Sequence, residues 1–420
     1  MNDRTISRED ISVLEVTDGE CVICKPPRSV CGDLKCQTSL KYLTILKLDK
    51  INSVDHIEGN SPPSVFIGSF GYPKVNMGPM VPPIQGNTMI YDYPEEWLTK
   101  SMFEILEMRS NLVYGKFKID VRNMFSNPQY EKTLEMILCE NSPYVEIDLY
   151  KKPSKKMTIS NQNTLFGPSA PLKTMNISDT KTDFKIEKIF YDTDLRANDA
   201  IIDMYENNVS ISKIQKTVSM GMCGLGKKRK IIPTRWSITA VDDIISKDIL
   251  DLIKTYPVLT EYRVFTLKVF DNVYTIILLP FKWSYGWLEA WHPNTFWNTQ
   301  NLQPIIHTDK EGFQNRTTYA KNLGGSYYAG RLAVVEALKK MRRQSSAIVF
   351  REIHEKYLFP LGVWNVREGM RATMKSEPSI FNNLEDTIKF AMNTLTIDKK
   401  IWMHNTVFGD LVYQKKILSF

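Results

Sequence analysis

The stretch Tyr262-Arg263-Val264-Phe265-Thr266-Leu267-Lys268-Val269-Phe270-Asp271-Asn272-Val273-Tyr274-Thr275-Ile276-Ile277-Leu278-Leu279-Pro280 decides the fold class. Residues 264–270 and 273–279 are rich in β-branched and aromatic side chains. They flank Asp271-Asn272, so they read as a β-hairpin closed by a two-residue turn. The run 273–279 is the strongest apolar segment of the chain, yet it is only strand-sized and Pro280 stops it. A bilayer-spanning helix needs roughly 18 such residues, so no membrane span is expected.

Downstream of the hairpin, Trp283, Trp287, Trp291 and Trp297 crowd together with Tyr285, Phe296 and His292. They read as core and turn aromatics; stacking on unpaired bases is the competing use. From Gly325 the period becomes helical, with Tyr328, Leu332, Val335 and Leu338 on one stripe. Gly324-Gly325 opens that helix either as an anion site or as a turn before close packing. Further helices are expected near residues 347–357 and 383–395.

Upstream, residues 197–219 read as one helix with Asp199, Asn207 and Asn208 on its polar side. Residues 61–83 are dense in Pro and Gly around Val65-Phe66-Ile67, which demands strands and turns. Pro94-Glu95-Glu96-Trp97 opens a helix running to about residue 112, since Pro suits the first turn and carboxylates suit its positive end. A helix at 130–138, an alternating strand at 144–150 and a structured loop at 166–172 follow; residues 40–48 lead in as a short strand or helix. The fold class is therefore α+β: a mixed α/β body, preceded by a cysteine-rich knuckle and followed by a more helical C-terminal region. No internal repeat is present.

The chain has 420 residues, with 54 Lys and Arg against 47 Asp and Glu. That composition excludes wholesale disorder and collagen-like structure, and the length suits two or three folded units. Residues 1–10 lack the apolar core of a signal peptide, so a soluble, cytoplasmic protein is expected. The positive charge is lumped at Lys151, Lys152, Lys155 and Lys156, at Lys227, Lys228, Arg229 and Lys230, and at Lys339, Lys340, Arg342 and Arg343. Solvated surface explains any one lump; three together lean toward a polyanion such as DNA.

Cys21, Cys24, Cys31 and Cys36 are four of the six cysteines. The first pair is a C-x2-C knuckle, whose spacing lets both sulfurs face one cation, and Gly32 permits a second tight turn. Without an export signal, clustered thiols read as metal ligands rather than disulfides. Four thiolates suit structural Zn2+; an iron–sulfur cluster accepts the same ligands, and spacing does not separate the two. Cys139 and Cys223 read as core residues.

Gly221-Met222-Cys223-Gly224-Leu225-Gly226-Lys227-Lys228 falls one residue short of a nucleotide-binding P-loop. That motif needs Ser or Thr where Lys228 stands, and a strand before it where a helix is expected. As a flexible basic loop, with Lys227, Lys228, Arg229 and Lys230, it remains suited to gripping a phosphate backbone. No nucleophile elbow occurs. The best acidic set is Asp242-Asp243 with Glu289 or Glu368, and Arg351-Glu352 and Arg367-Glu368 read as internal ion pairs rather than catalytic couples. The five histidines run from His56 to His404, and no two share a metal-ligand spacing on a helix.

The chain closes on Gln414-Lys415-Lys416-Ile417-Leu418-Ser419-Phe420. One helical turn would place Ile417 and Phe420 on one side with Gln414 beside them. This resembles the motif by which repair and replication proteins bind the sliding clamp PCNA, although the second aromatic of the fullest version is missing. A terminal element packed on the body is the alternative.

Several longer strings resemble the archaeal Nre family of DNA repair proteins: Ser61-Pro62-Pro63-Ser64-Val65-Phe66, Gly71-Tyr72-Pro73-Lys74-Val75, Phe166-Gly167-Pro168-Ser169-Ala170-Pro171 and Pro233-Thr234-Arg235-Trp236-Ser237-Ile238-Thr239. Glu289-Ala290-Trp291, Pro360-Leu361-Gly362-Val363-Trp364 and Val366-Arg367-Glu368 extend the likeness over nearly the whole chain. The resemblance implies two sequence regions, an N-terminal one over 43–314 and a C-terminal one over 315–412; the knuckle segment 1–42 and the clamp-docking tail 413–420 read above complete the division of the chain. It also implies a response to DNA damage through PCNA, and it supplies no catalytic residue. The reading that results is a zinc-containing DNA repair factor that contacts DNA. The alternative is an enzyme acting on DNA, nucleotide or protein, its pocket formed by loops 61–83, 166–171 and 233–243, with Lys74, Ser169 and Arg235 as candidate substrate contacts. A pure adaptor is a third reading.

Overall fold

The computed structural model describes residues 54–154, 166–299 and 301–412. The four knuckle cysteines, residues 40–48, Lys155, Lys156 and the tail residues Gln414, Ile417 and Phe420 lie outside the described residues. No described helix is long and apolar enough to cross a membrane.

A first six-stranded sheet comprises β1 (His56–Asn60), β2 (Val65–Ile67), β3 (Lys74–Val81), β4 (Val113–Asp120), β5 (Tyr144–Leu149) and β6 (Ser169–Ser178), in the order β1-β5-β6-β4-β3-β2. Only β4 and β6 run parallel. Helices α1 (Met102–Ser110) and α2 (Pro128–Leu138) lie within this half of the chain. Pro94 opens a 3-10 turn, Pro94–Thr99, rather than one long helix. Ser101 then forms a capping box with Glu104, and that reciprocal pair of hydrogen bonds restarts the chain as α1.

Helices α3 (Phe184–Tyr191), α4 (Ala197–Glu206), α5 (Ile211–Ser219) and α6 (Thr234–Ile253) cross to the second sheet. The single helix expected over 197–219 is two. Asn208 takes a left-handed φ of 59°, and Ser210 accepts from the Lys213 N–H to cap α5.

The second sheet comprises β7 (Tyr262–Val269), β8 (Asn272–Leu279), β9 (Ser284–Trp291), β10 (Ile305–Glu311), β11 (Ser346–Ile353) and β12 (Ser379–Phe381), ordered β10-β9-β11-β8-β7-β12. The hairpin forms as expected, but its turn is Phe270-Asp271, both at positive φ. Asn272 is drawn into the strand because its Oδ1 accepts from Arg351 Nε and Nη2 at 3.0 and 2.8 Å. The larger correction is at residues 347–357. Residues 347–353 belong to the central strand β11, parallel to β9 and antiparallel to β8, and 354–357 follow it outside any helix, where a helix was expected. Every residue of β11 is buried, so the run shows no alternation, and a short apolar run buried on both sides carries no period to separate strand from helix.

Helices α7 (Gly325–Met341) and α8 (Val363–Lys375) join α6 in a core continuous with the first sheet. Helices α9 (Leu384–Asn393), α10 (Lys399–Met403) and α11 (Thr406–Val412) bring Met392, Trp402 and Phe408 onto Ile277, Ile348 and Phe350 in a separate core. The second sheet is thus sandwiched between helices. Strands β7 to β10 precede residue 315 and β11 and β12 follow it, so the two sequence regions share this sheet.

Candidate functional site

The three Pro/Gly-rich loops do converge. Phe66, Tyr114 and Phe166 form an aromatic collar, with Phe66 and Phe166 centroids 4.7 Å apart. Ile67 N–H donates to Thr234 Oγ1 at 3.0 Å, which ties β2 to the start of α6. Gly167 is required there, because a Cβ would lie 2.2 Å from the Ser110 carbonyl oxygen.

Behind the collar sits a charged cluster rather than a substrate-sized pocket. Asp92 Oδ1 lies 2.5 Å from Arg109 Nη1; its Oδ2 lies 2.8 Å from Lys216 Nζ and accepts from Ser64 Oγ at 2.5 Å. Burial alone would raise the Asp92 carboxyl, but Lys216 and Arg109 outweigh it and hold the group below the ordinary carboxylate range. Next to it, Arg367 Nη1 reaches both oxygens of Asp242 at 3.0 Å. Burial pushes Asp242 up to about 6 despite Arg367. The cavity there is about 70 Å³, enough for a few water molecules and too small for a nucleotide.

Lys74, Ser169 and Arg235 do not meet at this cavity. Lys74 is exposed at the start of β3, Ser169 Oγ accepts from Lys116 Nζ at 3.2 Å, and Arg235 is exposed in the first turn of α6. The acidic set is likewise dispersed among arginines: Asp242 pairs with Arg367, Asp243 with Arg331, Glu289 with Arg351 and Glu368 with Arg371. Of the two expected sequence-neighbour pairs, Arg367 and Glu368 do meet at 3.3 Å, but Arg351 pairs with Glu289 and not with Glu352, because successive residues of a strand point to opposite faces. Among the described residues the carboxylates do not converge on a two-metal site. Trp283, just before β9, and Trp287, on it, are buried as core aromatics. Gly325 packs against Val363, so Gly324-Gly325 serves a turn and a close helix contact.

The basic loop is divided in its use. Lys227, Lys228 and Lys230 are exposed. Arg229 instead donates to the carbonyls of Gly224, Phe190, Ile189 and Asp192, closing the C-terminal end of α3. A helix precedes this loop, so the strand–loop–helix geometry of a P-loop is absent.

Sequence reading missed a surface feature beside this loop. Ile231 N–H donates to the Val121 carbonyl, and Val121 N–H donates to the Pro73 carbonyl, so the loops around Lys230, Arg122 and Lys74 lie side by side. On this ridge Tyr72 and Trp236 stand 40% and 44% exposed with ring centroids 5.1 Å apart, and Phe70 is 93% exposed. Arg235 borders an adjoining cleft of about 480 Å³ shared with Trp236 and Tyr319. Lys74, Arg122, Lys227, Lys228, Lys230 and Arg235 form no ion pair among the described residues. The sequence signal was Arg235-Trp236 directly after a helix-opening Pro-Thr, a position that packs little.

A larger cleft, of about 1220 Å³, lies apart from the three loops. Its floor carries Arg371 bridging Glu336 and Glu368, with Tyr205 donating to Glu336 at 2.8 Å. Burial raises Glu368 in spite of Arg371.

The family model described as "Archaeal Nre, N-terminal" matches residues 30–298, and "Archaeal Nre, C-terminal" matches 311–420. The DNA repair protein NreB of Archaeoglobus fulgidus is 40% identical, over 96% of this chain and 100% of its own length. The DNA repair protein NreA of the same organism is 35% identical, over 91% and 95%. NreA of Haloferax volcanii is 27% identical, over 80% and 82%. No solved structure gives a significant match. Two family models that between them span nearly all of the sheets and helices described above, and a 40% identity end to end, establish that the chain belongs to the archaeal Nre family.

Proposed function

We propose that this protein is a DNA repair factor that binds DNA on the Tyr72–Trp236 ridge and docks on PCNA through Gln414, Ile417 and Phe420. The observation that carries the DNA contact is the exposed aromatic pair flanked by cations that form no ion pair among the described residues. Aromatic faces stack on unpaired bases without regard to sequence, and free Lys and Arg neutralise phosphates. The repair role draws on the names of the full-length relatives. Clamp docking draws on the tail motif, and Zn2+ binding at Cys21, Cys24, Cys31 and Cys36 draws on their spacing. Of the basic loop, Lys227, Lys228 and Lys230 are the contacts, with Arg229 holding the loop in shape.

The test is fluorescence anisotropy of single-stranded and duplex oligonucleotides against salt. Binding should weaken steeply as salt rises and should favour the single strand, because only unpaired bases offer both faces for stacking. Binding that ignores salt, or that is unchanged when Tyr72 and Trp236 are both replaced by Ala, removes the ridge from the interface. An enzymatic reading finds no room at the three loops; the feature that favours it is the large cleft with Glu368, raised by burial and held by Arg371.

A further inference from the structure

Among the described residues, each buried carboxylate of the second sheet and its covering helices has an arginine partner, with one exception. Asp242, Glu289, Glu311 and Glu368 are paired by Arg367, Arg351, Arg331 and Arg371. Glu352 on β11 is fully buried and its ion-pair neighbours are His292 and His354 alone. An unneutralised carboxylate in such a place costs several kcal/mol.

The parallel pairing of β9 with β11 creates the cluster. Ile353 lies opposite Trp291, and His292 N–H donates to the Ile353 carbonyl at 3.0 Å, so the residues that follow each strand, His292 and His354, emerge side by side. Their rings stack with centroids 4.3 Å apart and interplanar angle 20°. His354 Nε2 stands 3.3 Å and His292 Nε2 3.6 Å from Glu352 Oε2. His354 Nε2 is buried and makes no hydrogen bond, the Glu352 contact lacking the alignment for one. All three donor atoms lie within 4.8 Å of one another.

We infer that His292, Glu352 and His354 form a binding site for a divalent transition-metal ion, separate from the four-cysteine knuckle. Donors at about 2.0–2.2 Å around a tetrahedral ion stand about 3.3–3.6 Å apart, which is the spacing of the two nitrogens from Oε2. Two protonated rings in stacking contact would repel; one dication neutralises Glu352 and leaves both imidazoles neutral. The carboxylate is preset for the role. Its Oε1 accepts from the backbone N–H of Thr396 and Ile397, and its Oε2 accepts from Thr396 Oγ1 at 2.7 Å, so its rotamer is fixed from behind. Two imidazoles and one carboxylate are borderline donors that suit Zn2+, Co2+ or Fe2+ rather than Mg2+ or Ca2+. Three protein ligands leave a fourth position, bordered by the exposed Thr396, whose Oγ1 is 3.1 Å from His292 Nε2. That pattern belongs to sites that accept a water or substrate oxygen, not to closed structural zinc.

The test uses the full-length chain stripped with chelator and titrated with Zn2+ or Co2+ alone. In a variant with Cys21, Cys24, Cys31 and Cys36 all changed to Ser, Co2+ should give visible d–d bands without thiolate charge transfer, and Zn2+ should raise the melting temperature. Combining His292→Asn with His354→Gln should remove one equivalent of bound metal whether or not the four cysteines are present. The affinity loss should exceed the ~100-fold seen when only an outer-shell partner is disturbed. Equal metal content and affinity with and without the histidine changes would overturn the site. So would the absence of Co2+ bands in the protein lacking all four knuckle cysteines, which would leave only a His292–Thr396–Glu352 hydrogen-bond network; that reading does not depend on the double variant folding.

Discussion

Along β5 and β6 of the first sheet, buried residues alternate with half-buried or exposed ones; β8 of the second is buried at every position and so is β11. Both sheets carry one parallel pair, β4 with β6 and β9 with β11, in an otherwise antiparallel order. The difference lies in what covers them. Helices close both faces of the second sheet, so any charge placed there must find a partner inside the protein. Arg351, Arg331, Glu289 and Glu311 do so, and Glu352 is left to two histidines. At the edges of the first sheet stand exposed cations that form no ion pair among the described residues, and the aromatic ridge grows from its β2–β3 loop. An exposed ridge of aromatic and cationic side chains and a buried His–Glu–His cluster follow from the same rule, applied to one covered face and to two.

The sharpest test of that contrast is a pair of truncations. Phe350→Ala, in the doubly covered β11, should cost about 3–5 kcal/mol because it opens a cavity between the sheet and the layer of α10 and α11. Lys173→Ala, on the exposed side of β6, should stay within about 0.5 kcal/mol. Urea unfolding of both measures it; similar losses would break the comparison.

At the junction behind the loops, Asp92→Asn should destabilise by about 3 kcal/mol at neutral pH by leaving Arg109 and Lys216 buried beside a neutral group. The Asp92 carboxyl is held below its ordinary 3.8, so its stabilisation is complete above that value and is lost as pH falls through the lower, folded one. The gap between parent and variant should therefore narrow on acidification below about pH 4. A gap that is constant from pH 7 to pH 3 would show that the ion pairs are not its source.

On the ridge, effects move from stability to binding. Trp236→Ala should weaken single-stranded DNA by about 1–3 kcal/mol, the worth of one stacked base, with an unchanged melting temperature. Replacing Lys227, Lys228 and Lys230 with Ala should flatten the salt dependence by about 0.7 per lost contact on single strands. An Arg229→Ala change should instead lower stability, because it frees carbonyls at the end of α3. The smallest effect on folding is expected for removal of residues 413–420, which should abolish PCNA binding in pull-down while leaving the unfolding curve in place.

Much of the chain was legible because its segments carry local signals. The hairpin has its β-branched runs, α7 its stripe, β5 its alternation, and the loop 61–83 its prolines and glycines. The misread segments lacked such signals or carried them too faintly. Residues 347–353 are apolar on both sides, so no period separates strand from helix, and the break at Asn207-Asn208 depends on a left-handed residue that sequence only permits. The turn at Phe270-Asp271 is one residue early because Asn272 is claimed by Arg351 from a different strand.

Local spacing alone sufficed for the α+β class, the loop-rich character of 61–83 and the family strings. Each depends on neighbours within a few residues, whose geometry the backbone period dictates. The convergence of three loops on a cavity of about 70 Å³ and the withdrawal of Arg229 from solvent were decided by the tertiary structure. So was the meeting of His292 with His354, which depends on a parallel pairing between β9 and β11. A strand's partner is chosen by which faces the helices cover, and that choice is a property of the whole core rather than of either segment.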